Sequence, residues 1–291
     1  MRNLLVFIMS FCIFFTVCSK QMNSKFEFEL YNGCILINVR LNNRVEGRCL
    51  LDTGSDVTVI DRKAAEKLKL EIMGYHEGGV AGGKTIRVPL SSIESVSMGQ
   101  YSTSLSPIAI ADVNQGKEPY GEIIGILGSD FLKKFVFTID YKEKALIFED
   151  AASLAECVKS GVKVPLDLVE DTAPYLEVTL NDSVKAKYKL DTGAGITFLR
   201  LRDLYAAGIT ENTPGVEKVT SKSAAGEYMT LQTELASFSV GEGLEVKNLL
   251  VKAYQSEIGF IGANYLSNFA ITLNYHERYA LFRVSDKTDL L

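Results

Sequence analysis

Two aspartates in this chain stand in matching surroundings, Leu50-Leu51-Asp52-Thr53-Gly54-Ser55 and Lys189-Leu190-Asp191-Thr192-Gly193-Ala194. Each follows an apolar segment of strand character, and each is followed by a glycine that permits a sharp turn, so the carboxylate is expected to project from a strand tip and not into a core. Two such tips facing each other would bring two carboxyls within hydrogen-bonding range. Like charges that close do not both ionise, so the pair would hold one proton between them. The ionised member of such a pair can take a proton from a water as that water attacks a carbonyl carbon, while the protonated member polarises the carbonyl oxygen. This chemistry needs neither cofactor nor metal. His76 and His276, the only two histidines, have no partners at metal-ligand spacing.

The matching surroundings extend well beyond the two turns. Residues 34–60 align without a gap on residues 173–199 at a constant offset of 139, with identities at Val39, Leu41, Asn42, Val45, Leu51, Asp52, Thr53, Gly54 and Thr58. A later block, residues 124–132, aligns on 258–266 at an offset of 134, which also carries Tyr141 onto Tyr275, Glu143 onto Glu277 and Phe148 onto Phe282. The chain is therefore a duplication, and internal repetition of this kind defines the architecture more strongly than any single motif.

Within each copy, alternating or fully apolar runs rich in Val, Ile, Leu, Phe and Tyr are separated by Asn, Gly and Asp, a pattern of short β-strands. Asn42-Asn43 and Asn181-Asp182 read as hairpin turns. Short helices are expected after each Asp-Thr-Gly segment, at about 62–68 and 201–207. Residues 150–161, rich in Ala and polar residues and closed by Gly161, read as a linker with a turn or two of helix. The expected fold is all-β, with two similar lobes spanning residues 25–155 and 160–291, related by a pseudo-twofold axis.

These elements resemble the retropepsin-like aspartic peptidases, and the presence of both halves on one chain also resembles the pepsin-like arrangement. The resemblance implies two β-barrel lobes, an aspartic endopeptidase activity carried by Asp52 and Asp191, a polypeptide substrate bound extended in the cleft between lobes, and a monomeric enzyme. It implies that Thr53 and Thr192 cross-bond to the opposite strand's backbone and lock the turns together. Gly-rich flap hairpins are matched by residues 76–84 and 221–227. An element of two apolar residues and a glycine, packed behind each turn, is matched by Ile123-Ile124-Gly125 and by Glu257-Ile258-Gly259, or by Phe260-Ile261-Gly262 in place of the latter. At the position after the glycine the copies differ: a Ser55 hydroxyl is expected to donate to Asp52 and favour its charged form, whereas Ala194 offers Asp191 no such donor. A non-catalytic extracytoplasmic protein that binds or scaffolds peptides with the same cleft is the alternative.

Composition bounds the remaining possibilities. The 291 residues include 31 Lys and Arg scattered among 36 Asp and Glu, with a net charge of −5, so no basic stripe offers itself to nucleic acid. The apolar run from Leu4 to Val17 behind Arg2 has the profile of a secretory signal, with residues 1–21 as leader and tether, and the protein is expected outside the cytoplasm. Two processing routes fit: cleavage after Ser19 to release a secreted or periplasmic protein, or lipidation of Cys18 within Phe15-Thr16-Val17-Cys18 to leave a membrane-anchored lipoprotein. Of the remaining cysteines, Cys34 and Cys49 lie in neighbouring strands, where either a bridge or buried thiols would fit.

Overall fold

A computed structural model describes residues 24–80, 84–114, 121–223 and 226–284. The expected leader, with Cys12 and Cys18, lies outside the described residues, as do Ala81, Gly82 and Gly83 of the first flap candidate and Ala224 and Ala225 of the second. Among the described residues no helix is long and apolar enough to cross a membrane.

Each copy starts from the same hairpin. In the first, Cys34–Leu41 pairs antiparallel with Val45–Leu51; in the second, Ala173–Leu180 pairs with Val184–Leu190. The turn residues Asn42, Asn43, Asn181 and Asp182 all take left-handed backbone angles, with φ of 47°, 54°, 45° and 56°. Asn and Asp tolerate that region, which is why these residue types close two-residue hairpins. Along Cys34–Leu41 the side chains of Ile35, Ile37, Val39 and Leu41 all enter the main core, at the period of two that a half-buried strand requires.

A short strand is then inserted between the hairpin and the segment that follows the Asp-Thr-Gly turn. Gly125–Leu127 runs parallel to Val45–Leu51 and antiparallel to Val59–Asp61. Phe260–Ile261 does the same between Val184–Leu190 and Thr197–Arg200. Both arms of each turn are thus tied to one strand. The helices Arg62–Leu68 and Leu201–Ala206 follow where expected, the first capped by the Asp61 carboxylate, which accepts the Lys63 N–H.

The strands form a 13-stranded and an 8-stranded sheet. Three strands from the second half, Val162–Pro165, Tyr279–Val284 and Phe269–Asn274, belong to the larger sheet, where Phe269–Asn274 pairs antiparallel with Phe137–Asp140 of the first half. The two copies are therefore joined through a continuous sheet as well as through their turns. Between them, the expected loose linker is a ten-residue helix, Ala151–Ser160. The Asp150 side chain accepts the Ala152 and Ser153 N–H groups while Ser153 Oγ accepts the Asp150 N–H, and Cys157 is buried beside Tyr279 and Leu281.

Cys34, Cys49 and Cys157 are all buried and none is in a disulfide. Cys49 faces the main core opposite Ile37, whereas Cys34 packs with Leu36, Leu50 and Ile123. The two side chains leave opposite faces of the sheet, so no bridge can close.

Candidate active site

The two turns meet tip to tip. Thr53 and Thr192 are fully buried and bond reciprocally. Thr53 Oγ1 donates to the Leu190 carbonyl at 2.8 Å and accepts the Thr192 N–H at 3.1 Å; Thr192 Oγ1 donates to the Leu51 carbonyl at 2.7 Å and accepts the Thr53 N–H at 3.1 Å. Four backbone groups that neither copy satisfies alone are paired by the other, so each turn completes its partner.

Asp52 and Asp191, both partly buried, are brought together above this lock and share a hydrogen bond. Their own N–H groups donate to the Leu127 and Ile261 carbonyls, at 3.0 and 3.1 Å. The residues packed behind the turns are therefore Ile126-Leu127-Gly128 and Phe260-Ile261-Gly262. This corrects the expectation of Ile123-Ile124-Gly125 for the first copy, and in the second it selects Phe260-Ile261-Gly262 over Glu257-Ile258-Gly259. Gly125 has a separate duty: a Cβ there would lie 2.4 Å from the Val59 carbonyl oxygen.

The reason for the glycines also differs from expectation. Neither Gly54 nor Gly193 takes a left-handed φ. A Cβ on Gly54 would instead lie 2.5 Å from Asp191 Cγ, and one on Gly193 would lie 2.5 Å from Asp52 Cγ. Each glycine is the seat of the opposite copy's carboxyl, so close approach, not turn geometry, excludes a side chain.

The two carboxyls are not equivalent. Asp52 Oδ1 accepts the N–H groups of Gly54 at 2.8 Å and Ser55 at 3.0 Å, whereas Asp191 Oδ1 accepts that of Gly193 at 2.9 Å. Contrary to the expectation from sequence, the Ser55 hydroxyl does not donate to Asp52; it donates to the Val57 carbonyl at 2.8 Å, and Ser55 reaches Asp52 through its backbone N–H. The Ala194 N–H meets its own turn's Asp191 carbonyl at 3.4 Å. Burial raises the pKa of both carboxyls. For Asp191 the Asp52 charge and their mutual hydrogen bond add to burial and push it well above the ordinary carboxylate range. For Asp52 the hydrogen bonds from Asp191, Gly54 and Ser55 work against burial. The uneven set of donors therefore favours the charge on Asp52 and the proton on Asp191.

A residue not singled out in the sequence completes the site. Lys189, 6 % exposed, donates from Nζ to the Gly54 carbonyl at 3.1 Å and pairs with Asp56 at 3.2 Å. In the sequence it is the last of three alternating lysines, Lys185, Lys187 and Lys189, at a position where the other copy has Leu50. Among the described residues, no three His, Cys, Asp or Glu side chains are gathered as metal ligands.

Residues 37–131, from within the first hairpin to the short helix Ser129–Leu132, match the family model described as aspartyl protease. This family match covers the first copy and not the second. The chain's second half is tied to the matched half by the repeat and by the reciprocal threonine bonds. Its fold is similar to the crystal structure of basic 7S globulin from soybean, with 11% sequence identity and a TM-score of 0.52 over 91% of this chain and 95% of that chain. No curated protein matches it.

Proposed function

We propose that the chain is a single-chain aspartic endopeptidase acting through Asp52 and Asp191. The observation that carries this reading is the pairing of the two carboxyls, each seated on the other copy's glycine, with backbone donors concentrated on Asp52. A structural site has no use for two partly buried carboxyls held against one another, because their repulsion opposes folding. A water between them loses a proton to the Asp52 carboxylate as its oxygen attacks the peptide carbonyl carbon. The Asp191 carboxylic acid meanwhile donates a hydrogen bond to the carbonyl oxygen, on which negative charge develops. Collapse of the tetrahedral intermediate, with a proton passing to the leaving nitrogen, separates the products and restores the one-proton pair. The hairpins Gly74–Val80 with Lys84–Met98, and Glu217–Ser223 with Gly226–Ser239, supply edges on which an extended peptide can add as a strand.

The test is cleavage of a diverse peptide pool by the secreted-form protein between pH 3 and 7, beside Asp52→Asn and Asp191→Asn. Cleavage by the wild type that is lost in both variants supports the reading. Cleavage that survives in both, or a wild type inert towards the whole pool, overturns it.

A further inference from the structure

Lys189 is the element of the site that the duplication does not explain. The first copy keeps Leu50 at the same place in its strand, so nothing in the fold demands a cation there. An ammonium this deeply placed is unfavourable unless it is paired and hydrogen-bonded. Both of its partners, the Gly54 carbonyl and the Asp56 carboxylate, belong to the turn of the other copy. The equivalent carbonyl in the second turn, that of Gly193, is met by the neutral Cys34 Sγ at 3.2 Å. One turn is thus held by a charge and the other by a thiol.

The groups facing this ammonium are few. Asp52 and Asp56 approach from the first turn and Asp191 from the end of its own strand; the attraction of Lys189 is felt by both members of the dyad. Strand Ala173–Leu180 brings Tyr175, whose ring centroid lies 5.9 Å from Nζ. Strand Phe260–Ile261, paired on the other side, brings no titratable group. Around the carboxyls stand the phenols of Tyr141 and Tyr275, which burial keeps neutral, and the Cys34 thiol. Among these groups Asp56 is the only competing anion.

We propose that Lys189 is a positioning residue for the dyad: its ammonium, delivered from the second copy, clamps the first copy's Asp-Thr-Gly turn by the Gly54 carbonyl and is the counter-charge against which Asp52 and Asp191 hold their proton. The catalytic consequence rests on the endopeptidase reading above. A nearby cation favours the forms of the pair that carry more negative charge, so its removal moves both limbs of the pH profile upward.

The experiment has two arms. In the first, the pH profile of kcat/KM is measured for wild type, Lys189→Met and Lys189→Arg. Lys189→Met is expected to shift the acidic limb up by about half a unit or more, while Lys189→Arg restores the wild-type limb. A Lys189→Met profile that is lower but unshifted overturns the proposal. The second arm needs no activity: thermal unfolding from pH 3 to 7 for Lys189→Met, in the wild-type background and in Asp52→Asn/Asp191→Asn. The destabilisation is expected to grow with pH in the first background and to be largely lost in the second. Equal pH dependence in both would show that Lys189 serves Asp56 alone. A wild type that cleaves no peptide defeats the functional reading, and the unfolding arm still decides the role of Lys189.

Discussion

The hydroxyl of Thr138 lies 2.7 Å from that of Thr272, its own counterpart in the second copy, with both side chains fully buried. They face each other in the register Thr138↔Thr272, with Ile139↔Ile271 and Phe137↔Leu273 on either side, so the pairing maps onto itself when the copies are exchanged. The pseudo-twofold axis that relates Asp52 to Asp191 therefore also passes through this pair. One sheet below the turns fixes how the two lobes face each other.

Because the pair is buried, its hydrogen bond is expected to matter for stability. Thr272→Val should cost about 1 kcal/mol, the loss of one buried bond. Thr138→Val should cost about 2 kcal/mol, because Thr138 Oγ1 also donates to the Glu149 carboxylate, which would be left short of a partner. Urea unfolding of the two variants measures this directly, and equal losses would mean that the Glu149 bond contributes nothing.

The reciprocal threonines are expected to be more sensitive. Thr53→Val removes two bonds at once and strands the Leu190 carbonyl and the Thr192 N–H in a buried setting. The expected loss is about 2 to 4 kcal/mol, with cleavage activity falling in step as the carboxyls lose their register. Thr53→Ser keeps both bonds and should retain most of the stability. If serine proves as damaging as valine, packing of the methyl group and not the hydrogen bonds locks the turns.

Much of this was legible in the sequence, and the misses share a cause. The repeat located both turns, the asparagine hairpins and the helix Arg62–Leu68, because each rests on residue types acting within a few positions of one another. The pairing of Phe137–Asp140 with Phe269–Asn274 was not legible, since both strands are apolar and an apolar run does not name its neighbour. Lys189 was missed because its acceptor is a backbone carbonyl, which no residue type advertises. The Ser55 hydroxyl was misassigned because the sequence places it beside Asp52 without saying which rotamer it takes; Val57 lies closer to hand.

A second departure from symmetry makes a stabilising substitution predictable. Tyr275 OH and Ser129 Oγ lie 3.2 Å apart, and Ser129 Oγ donates to the Thr53 carbonyl at 2.9 Å. In the other copy Tyr141 corresponds to Tyr275 but Ala263 stands where Ser129 would be, and Tyr141 OH is buried without a partner among the described residues. Ala263→Ser should supply the missing hydroxyl and stabilise the protein by about 1 kcal/mol, while Ser129→Ala should destabilise by a similar amount. Calorimetric Tm values decide it; a destabilised Ala263→Ser would mean that the second lobe has closed around the smaller side chain.

The dyad makes its own prediction about pH and stability, with a sign opposite to that of a salt-bridged carboxylate. Asp191 is raised well above the usual carboxylate range by burial, by the Asp52 charge and by their hydrogen bond. The folded protein therefore retains a proton that the unfolded chain has already released above about pH 4. Its contribution to stability is fully present below the unfolded pKa and is lost as pH rises through the folded one. Asparagine cannot titrate and leaves Asp52 without a like charge to oppose. Asp191→Asn is accordingly expected to be inactive yet more stable than wild type at pH 7, by on the order of 1 kcal/mol, with the advantage shrinking towards zero as pH falls to 4. Unfolding free energies of the two proteins across that range provide the check. A difference that stays constant with pH would mean that Asp191 shares no proton, and that the two carboxyls are held apart in solution.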